Sequence, residues 1–132
     1  MDYENFLKAV EEMDFIESRE HADSVIKGVF GILASELDEA HAKILTERLP
    51  EPLTMEKLRG MQKYRLRISF DQYLEEISGE FGIARDQAEK LVDALFGMML
   101  ESVDMDAFNE IKSNLPDDWV RAMEKRAAFR EG

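Results

Sequence analysis

The two histidines are the residues best suited to metal chemistry, and each has a carboxylate about one helical turn away. Glu17 and His21 are four residues apart, and Asp38 and His41 are three apart. On a helix, either pair would place two metal ligands on one face. A metal centre would need a further ligand from elsewhere in the chain, and no motif specifies one. We therefore predict no metal site and interpret both histidines as exposed residues on acidic helices.

Carboxylates are the most abundant reactive groups, yet their spacing does not bring them together. Neighbours such as Glu11 and Glu12 diverge by about 100° on a helix. The sequence contains no phosphate-binding glycine loop, no calcium loop and no Glu-x-x-His pair. Serines such as Ser24 and Ser78 have no identifiable base, and there is no cysteine for thiol catalysis or disulfides. We therefore predict no catalytic residues, no cofactor and no enzymatic activity.

The charge balance restricts the partners that the protein can bind. Twenty-nine acids against 17 bases give a formal net charge of −12, which repels nucleic acid and anionic membrane. The longest apolar run, from Ala94 to Leu100, is far shorter than the roughly 20 residues of a membrane span. The N-terminal residues have no signal-peptide pattern. We expect a cytoplasmic protein whose partner is another protein, with no nucleic acid and no membrane.

One short segment has the opposite charge. Residues 54–68 carry five bases and one acid. We favour the interpretation that this basic segment crosses the acidic face of a helical unit. The alternative is a patch that binds an anion or an acidic partner. The five bases of the segment are Lys57, Arg59, Lys63, Arg65 and Arg67.

The elements that position these residues occur twice. The stretch Ser24–Asp38 recurs as Lys90–Asp104, and each copy is followed by a Leu-Pro pair, at a spacing of 66 or 67 residues. Nearly all repeated residues are caps, turn residues or inward positions. We predict one all-α domain over residues 1–132, built from two pseudo-symmetric tandem repeats of seven to eight helices in total. The repeat units are 1–68 and 69–132. Identical pairs include Leu7/Leu74, Ala22/Ala88, Phe30/Phe96, Gly31/Gly97, Asp38/Asp104 and Leu49-Pro50/Leu115-Pro116.

Short polar side chains mark the expected helix starts, because they can accept the unpaired amides of a first turn. Gly79 and Gly82 should end the helix that follows Ser69, and the chain should fray from Lys125. Residues Tyr64–Phe70 alternate apolar and polar, which predicts an extended connector on the surface, with a small β element as the alternative. The predicted caps are Asp2, Ser18, Asp38, Ser69, Asp104 and Asp117. The inward residues predicted after Asp38 are Ala40, Ile44 and Leu45.

The two repeated stretches predict helices with wide apolar faces. Beside the first face lies a strip of small residues that includes Gly28 and Gly31, with Ala94 and Gly97 in the second copy. Interior glycines destabilise a helix by about 1 kcal/mol each, so we expect another backbone to pack closely over them, a ligand being the alternative. On this hypothesis, Gly31→Leu or Gly97→Leu should destabilise by several kcal/mol. The predicted inward residues are Ala22, Val25, Ile26, Val29, Phe30, Ile32, Leu33 and Leu37, then Ala88, Leu91, Val92, Leu95, Phe96, Met98, Met99 and Val103.

This tandem pattern resembles the bacterial family catalogued as domain of unknown function 2267. The resemblance covers nearly the whole chain and implies an all-α tandem-repeat fold in a bacterial protein. It implies no catalytic residues, because the function of that family is uncharacterised. The residues that carry it are Asp2-Tyr3, Phe6-Leu7, Phe30-Gly31 and Leu49-Pro50, then Phe70, Tyr73-Leu74, Phe96-Gly97 and Leu115-Pro116.

Since every internally repeated residue has a structural role, the sequence favours a non-catalytic function. We predict an acidic helical protein-interaction or regulatory module in the bacterial cytoplasm and leave its oligomeric state open. The alternative is a small-molecule binding protein with an apolar pocket between the two repeats. That pocket would be lined by Phe30, Phe96, Met98 and Met99.

Overall fold

Helices make up all the regular structure that the computed structural model describes. It covers residues 2–60 and 67–131, without the side chains of residues 59, 60 and 126–131. Within these ranges there are eight helices and no strand, so the predicted all-α single domain is confirmed. The helices are α1 (Tyr3–Glu11), α2 (Arg19–Glu36), α3 (Glu39–Thr46), α4 (Met55–Gly60), α5 (Phe70–Phe81), α6 (Arg85–Ser102), α7 (Met105–Ser113) and α8 (Asp117–Glu131).

Helix starts follow the predicted caps with one exception. Each of five cap side chains accepts the backbone N–H of the residue three positions later, and Ser69 and Gln72 form a reciprocal capping box. Asp117, however, is the first residue of α8 rather than its cap. The carbonyl of Pro116 accepts the first bond of that helix, from Val120, so Pro116 holds the cap position. The five confirmed caps are Asp2, Ser18, Asp38, Ser69 and Asp104.

The helix ends and one helical face differ from the predictions. Helix α5 ends at Gly82, whose left-handed φ of 65° suits a residue without a Cβ, and not at Gly79. Helix α8 continues to Glu131, although fraying was predicted from Lys125. On α3 the predicted inward residue Ala40 is exposed, and Ala42 is buried instead. Ala42 is three residues from Leu45 and shares its face, whereas Ala40 lies on the far side of the helix.

The two helices that carry a Phe-Gly pair, α2 and α6, form the centre of the fold. Helix α2 packs against α1, α3, α4 and α5, and every residue of its predicted apolar face is buried. Helix α6 packs against α1, α5 and α8, and its face is buried except at Met98, which is half-buried. At the end of α2 even Ser35 and Glu36 are only 1% exposed. Helix α2 is therefore more completely enclosed than α6.

The predicted close approach over small residues occurs at one glycine of α2. A Cβ added at Gly28 would lie 2.3 Å from Cζ of Phe81, so the ring occupies the space of a side chain. At Gly31 the nearest atom would be the carbonyl oxygen of Leu58, at an ordinary 3.7 Å. Around Gly97 no described atom comes within 4 Å of such a Cβ. The backbone neighbour that was predicted is thus found at Gly31, at an ordinary distance, while the closest neighbour, at Gly28, is a side chain. The prediction for Gly97 is wrong because no described helix covers that position.

The segment before α5 is only partly described. Tyr64, Leu66 and the residue between them lie outside the described ranges, and Phe70, assigned to the connector, is the first residue of α5. Residues 67–69 are not helical, as predicted, and we call them the strap. Ile68 of the strap is half-buried against the core rather than simply laid on the surface. The left-handed φ of Arg67, 53°, turns the chain into this position.

Candidate functional site

Two bases of the predicted basic segment have described side chains, and they lie in different places. Lys57 is exposed on α4, and Arg67 is exposed in the strap. The side chain of Arg59 and all of Lys63 and Arg65 lie outside the described part of the chain. These two positions therefore show no continuous patch, and the anion-binding alternative stays a prediction.

The charge of Lys57 acts on a network of hydrogen bonds between α1 and α2. The Asp23 carboxylate accepts hydrogen bonds from the Tyr3 hydroxyl, at 2.5 Å, and from Lys27 Nζ, at 2.8 Å. Burial acts to raise the pKa of Asp23, but these two bonds and the charges of Lys27 and Lys57 outweigh it and lower that pKa. Burial and the bond to Asp23 raise the pKa of the Tyr3 phenol. The hydrogen bonds of this network join α1 to α2.

Each histidine contacts a residue about one helical turn away, and His41 also lies near α7. His21 Nδ1 accepts the backbone N–H of Glu17 at 3.1 Å, at the start of α2. His41 Nδ1 lies 2.6 Å from an oxygen of Asp38, and its Nε2 lies 3.8 Å from Glu110 of α7. Among the residues that the structure describes, no three His, Asp or Glu side chains form a group that could hold a metal ion.

The residues predicted to line an apolar pocket pack against other side chains. Phe30 is fully buried, with the ring of Phe6 edge-on at 5.7 Å between centroids. Phe96 is also fully buried and stacks on Tyr73 at 6.2 Å. Met99 is 1% exposed, and Met98 is half-buried beside it. None of these four lines either of the clefts described below.

Helices α3 and α7 contact each other through matching residues of the two units. Asn114 at the end of α7 accepts the N–H of Asp38 at 2.7 Å and donates to its carboxylate at 3.2 Å. At the end of α3, Arg48 Nε lies 3.7 Å from a carboxylate oxygen of Asp104, which is an ion pair rather than a hydrogen bond. Asp38 and Asp104 are 66 residues apart, as are Arg48 and Asn114. Each cap therefore contacts the residue that ends the helix of the other unit.

An open cleft of about 480 Å³ lies where the strap passes between the end of α2 and the start of α8. We call it the connector cleft. Its walls combine carboxylates, an amide and hydroxyls with the apolar turn between α7 and α8. The residues that line it are Glu36, Arg67, Ile68, Ser69, Ser113, Asn114, Leu115, Pro116 and Asp118.

Side chains of α2 and α8 hold the main chain of the strap in this cleft. The N–H of Ile68 donates to Glu36 Oε1 at 2.9 Å, and the carbonyl of Ile68 accepts the indole N–H of Trp119 at 3.0 Å. Next to the strap, the N–H of Phe70 donates to Asp118 Oδ2 at 2.7 Å. Glu36 is buried at the carboxyl end of α2, where the helix dipole disfavours an anion, so the Ile68 amide helps to stabilise its charge. The site binds one extended residue through both of its peptide groups.

A second cleft, of about 540 Å³, lies where the turn after α3 meets the end of α6. Leu49 and Pro50 line it as Leu115 and Pro116 line the connector cleft. At the repeat spacing of 66 residues, however, the counterpart of Glu36 is Ser102. The counterparts of Asp118 and Trp119 are Pro52 and Leu53. Each cleft contains a Leu-Pro pair, but among the described residues the second cleft lacks counterparts of the side chains that bind Ile68.

Sequence reasoning missed Glu36, Asp118 and Trp119 as a group. One signal for Glu36 was present, because it is seven residues after Val29 and three after Leu33, which places a charge on the apolar face of α2. A charged residue on such a face is seldom buried without a partner. Asp118 and Trp119 gave no such signal, since a polar residue and an aromatic residue at a helix start are ordinary.

Six helices around two central ones in the described ranges, with a polar cleft at one end, define the protein as an all-helical domain with a candidate peptide-binding site. Residues 3–122 match the model of the family described as "Uncharacterized conserved protein (DUF2267)". The chain belongs to this family, which confirms the resemblance seen in the sequence.

No curated protein and no solved structure matched the chain. Of the helices in the described ranges, none combines the length and the apolar character needed to cross a bilayer.

Proposed function

We propose that this protein is a non-catalytic protein-interaction or regulatory module that works in the bacterial cytoplasm, with the connector cleft as its binding surface. The observation that carries the proposal is the pair of bonds to Ile68, through which Glu36 and Trp119 engage one N–H and one carbonyl. Side chains that satisfy both peptide groups of one residue are a means of holding an extended polypeptide. Such side chains recognise the backbone of a peptide rather than a small metabolite.

The charge of the protein narrows the class of partner. A net charge of −12 attracts basic segments of other proteins and accelerates their encounter with the domain. The strap offers a precedent, because Arg67 accompanies Ile68 into the mouth of the cleft. We therefore propose a basic protein segment as the partner and expect binding to weaken as salt concentration rises.

We also propose that the two units arose as copies that pack about a pseudo-two-fold axis. The reciprocal contacts of Asp38 with Asn114 and of Asp104 with Arg48 support this arrangement. The helix pairs support it too, since α1 packs on α2 and α6 while α5 packs on α6 and α2. Superposition of the two halves in an experimental structure tests it, and unrelated helix directions would refute it.

Affinity capture from a bacterial host with matched variants tests the proposed function. Ser113→Arg places a long side chain at the mouth of the connector cleft, whereas Ser24→Arg makes the same change at an exposed site on α2. A partner that uses the cleft should be recovered at least about tenfold less with Ser113→Arg and undiminished with Ser24→Arg. Its purified form should then bind the domain directly. Equal recovery by both variants would refute the cleft as the binding surface.

A further inference from the structure

We propose that the strap, residues 67–69, is exchangeable, and that an extended partner segment with a basic residue followed by an aliphatic one replaces it in the connector cleft. This inference rests on the proposed function, because it names the chemistry of the partner and how the site is regulated. In its own chain the strap acts as an internal ligand that must leave before the partner binds.

The contacts of the strap are of a kind that another segment can reproduce. The described hydrogen bonds to Glu36 and Trp119 involve only the peptide groups of Ile68. The side chain of the strap that packs against the core is that of Ile68, which is half-buried, while Arg67 and Ser69 are exposed and Ser69 contacts only α5, as its cap, among the described hydrogen bonds. Recognition through peptide groups leaves sequence preference to a single side-chain position. An aliphatic residue in a foreign segment can therefore occupy the place of Ile68.

The free energy needed to release the strap from the cleft is lower than the number of its hydrogen bonds suggests. Each protein hydrogen bond that opens is replaced by one with water, so its net contribution is small. Arg67 has a φ of 53°, a left-handed conformation that is unfavourable for residues with a Cβ. Release of the strap lets Arg67 return to an ordinary backbone conformation. The cleft beside the strap is already open, so water can reach Glu36 when Ile68 departs.

Competition with a tethered segment sets a requirement on the partner. A segment in the same chain has an effective concentration of about a millimolar. A partner that made only the same contacts as the strap would therefore not displace it from the cleft. The partner must therefore make contacts that the strap lacks. The acidic surface of the domain provides them for basic residues that flank the aliphatic one. The inferred partner segment is thus more basic than the strap itself.

Native-state hydrogen exchange on the unmodified protein tests whether the strap opens. The amide of Ile68 is compared with that of Leu95 in the buried interior of α6. If the strap leaves without unfolding of the domain, the Ile68 amide exchanges on the order of 100-fold faster than the Leu95 amide. Exchange at the same slow rate would show that the strap opens only when the whole protein unfolds, and would overturn the proposal.

A peptide titration tests whether the vacated cleft accepts another segment. Trp119 is the only tryptophan, so its fluorescence and its indole N–H signal report on the cleft. The probe is a synthetic Arg-Leu-Arg-Ile-Ser-Phe peptide, added to the wild type and to Ile68→Asp. The introduced carboxylate lies beside Glu36 and Asp118 and expels the strap. The peptide should bind Ile68→Asp at least about tenfold more tightly than the wild type.

Controls make either outcome decisive. A probe with Asp in place of Ile should not bind, and Ile68→Ala replaces Ile68→Asp if circular dichroism shows that the latter is unfolded. Equal affinity for the wild type and a folded variant, or no binding to either, would overturn the proposal. Concentration-dependent dimers would assign the cleft to a second copy of the chain and also overturn it.

The two proposals fail in different ways. If the peptide binds the strap-released variant and no cellular partner is captured, strap exchange stands and the proposed function fails. If a partner is captured and Ile68→Asp binds it no better than the wild type does, the function stands and strap exchange fails.

Discussion

Helices α2 and α6 have the same length and the same Phe-Gly pair, but they have different surroundings. Each contains 18 residues and buries its apolar face. On α2 both Gly31 and the terminal residue Glu36 are buried. On α6, by contrast, a Cβ added at Gly97 would have no described neighbour within 4 Å. A repeated sequence thus specifies a repeated helix without specifying the environment of every residue on it.

One aromatic ring accounts for much of this difference. Phe81, near the end of α5, lies directly over Gly28 of α2. At the repeat spacing of 66 residues the counterpart of Gly28 is Ala94, whose Cβ would prevent a ring from approaching as closely. Gly28 therefore serves packing between the units, while Gly97 has no such role in the described structure. The difference can be tested by the same substitution at one glycine of each helix.

The largest effect is expected at Gly28. Gly28→Leu should destabilise the protein by about 3 kcal/mol, because the new side chain and the ring of Phe81 require the same space. Gly97→Leu, the same change at an interior glycine of α6, is the control and should not destabilise the protein, because nothing described obstructs the new side chain. Urea unfolding of the two variants measures both values. Equal destabilisation would show that α6 is covered as closely as α2.

The next effect concerns the end of α2. Glu36→Ala should destabilise by about 2 kcal/mol, since it leaves the N–H of Ile68 without its acceptor and removes a buried side chain. Glu89→Ala, an exposed change on α6, is the control and should have little effect. Thermal unfolding compares the two. A wild-type melting temperature for Glu36→Ala would mean that this carboxylate does not hold the strap.

A smaller effect distinguishes α5 from α1. The buried hydroxyl of Tyr73 donates to the carbonyl of Val29 at 2.8 Å, and the residue at the matching position of α1 is Phe6. Tyr73→Phe gives α5 the residue found in α1 and should cost about 1 kcal/mol, the net value of one hydrogen bond. Chemical denaturation measures this cost. A cost of zero would indicate that the bond to α2 adds nothing to the association of the two units.

A Cβ at Gly97, the open position on α6, should fit without a clash and should stabilise the protein. Gly97→Ala should stabilise the protein by up to about 1 kcal/mol, because alanine favours the helix and nothing described obstructs it. A rise in melting temperature is the expected result. A fall would show that something covers Gly97 in the folded protein.

The smallest effect is a pH dependence in the first unit. Tyr3→Phe removes one of the hydrogen bonds that lower the pKa of Asp23, and should cost about 0.5 kcal/mol at neutral pH, a low value because Asp23 is partly exposed. A carboxyl with a lowered folded pKa adds stability above its unfolded pKa and loses it as pH falls through the folded pKa. The difference between Tyr3→Phe and wild type should therefore vanish in acid. A difference independent of pH would exclude Asp23 as its source.

The helix starts were predictable because the interactions that set them are local. Asp38 and Ser69 each accept an N–H only three residues away, so neighbouring sequence determines the bond. The apolar faces of α2 and α6 were predictable for the same reason, since helical periodicity alone places their residues. Pro116 is the exception, because a carbonyl can take the cap position without a distinctive side chain.

The candidate site was not predictable because its parts are distant in the sequence. Glu36 and Ile68 are 32 residues apart, and Trp119 is 51 residues from Ile68. Each type of residue is common in its local setting, and the meeting of the three depends on how α2 and α8 pack around the strap. The position of Phe81 over Gly28 likewise depends on how α5 crosses α2, which periodicity does not determine.

A double-mutant cycle on Gly28 and Phe81 tests the central claim most directly, namely that one ring makes α2 differ from α6. With Phe81 present, Gly28→Ala should destabilise the protein, since the added Cβ would lie 2.3 Å from the ring. In a Phe81→Ala background the same change should stabilise it by up to about 1 kcal/mol, as expected for an open helical glycine. An identical effect of Gly28→Ala in both backgrounds would contradict the account.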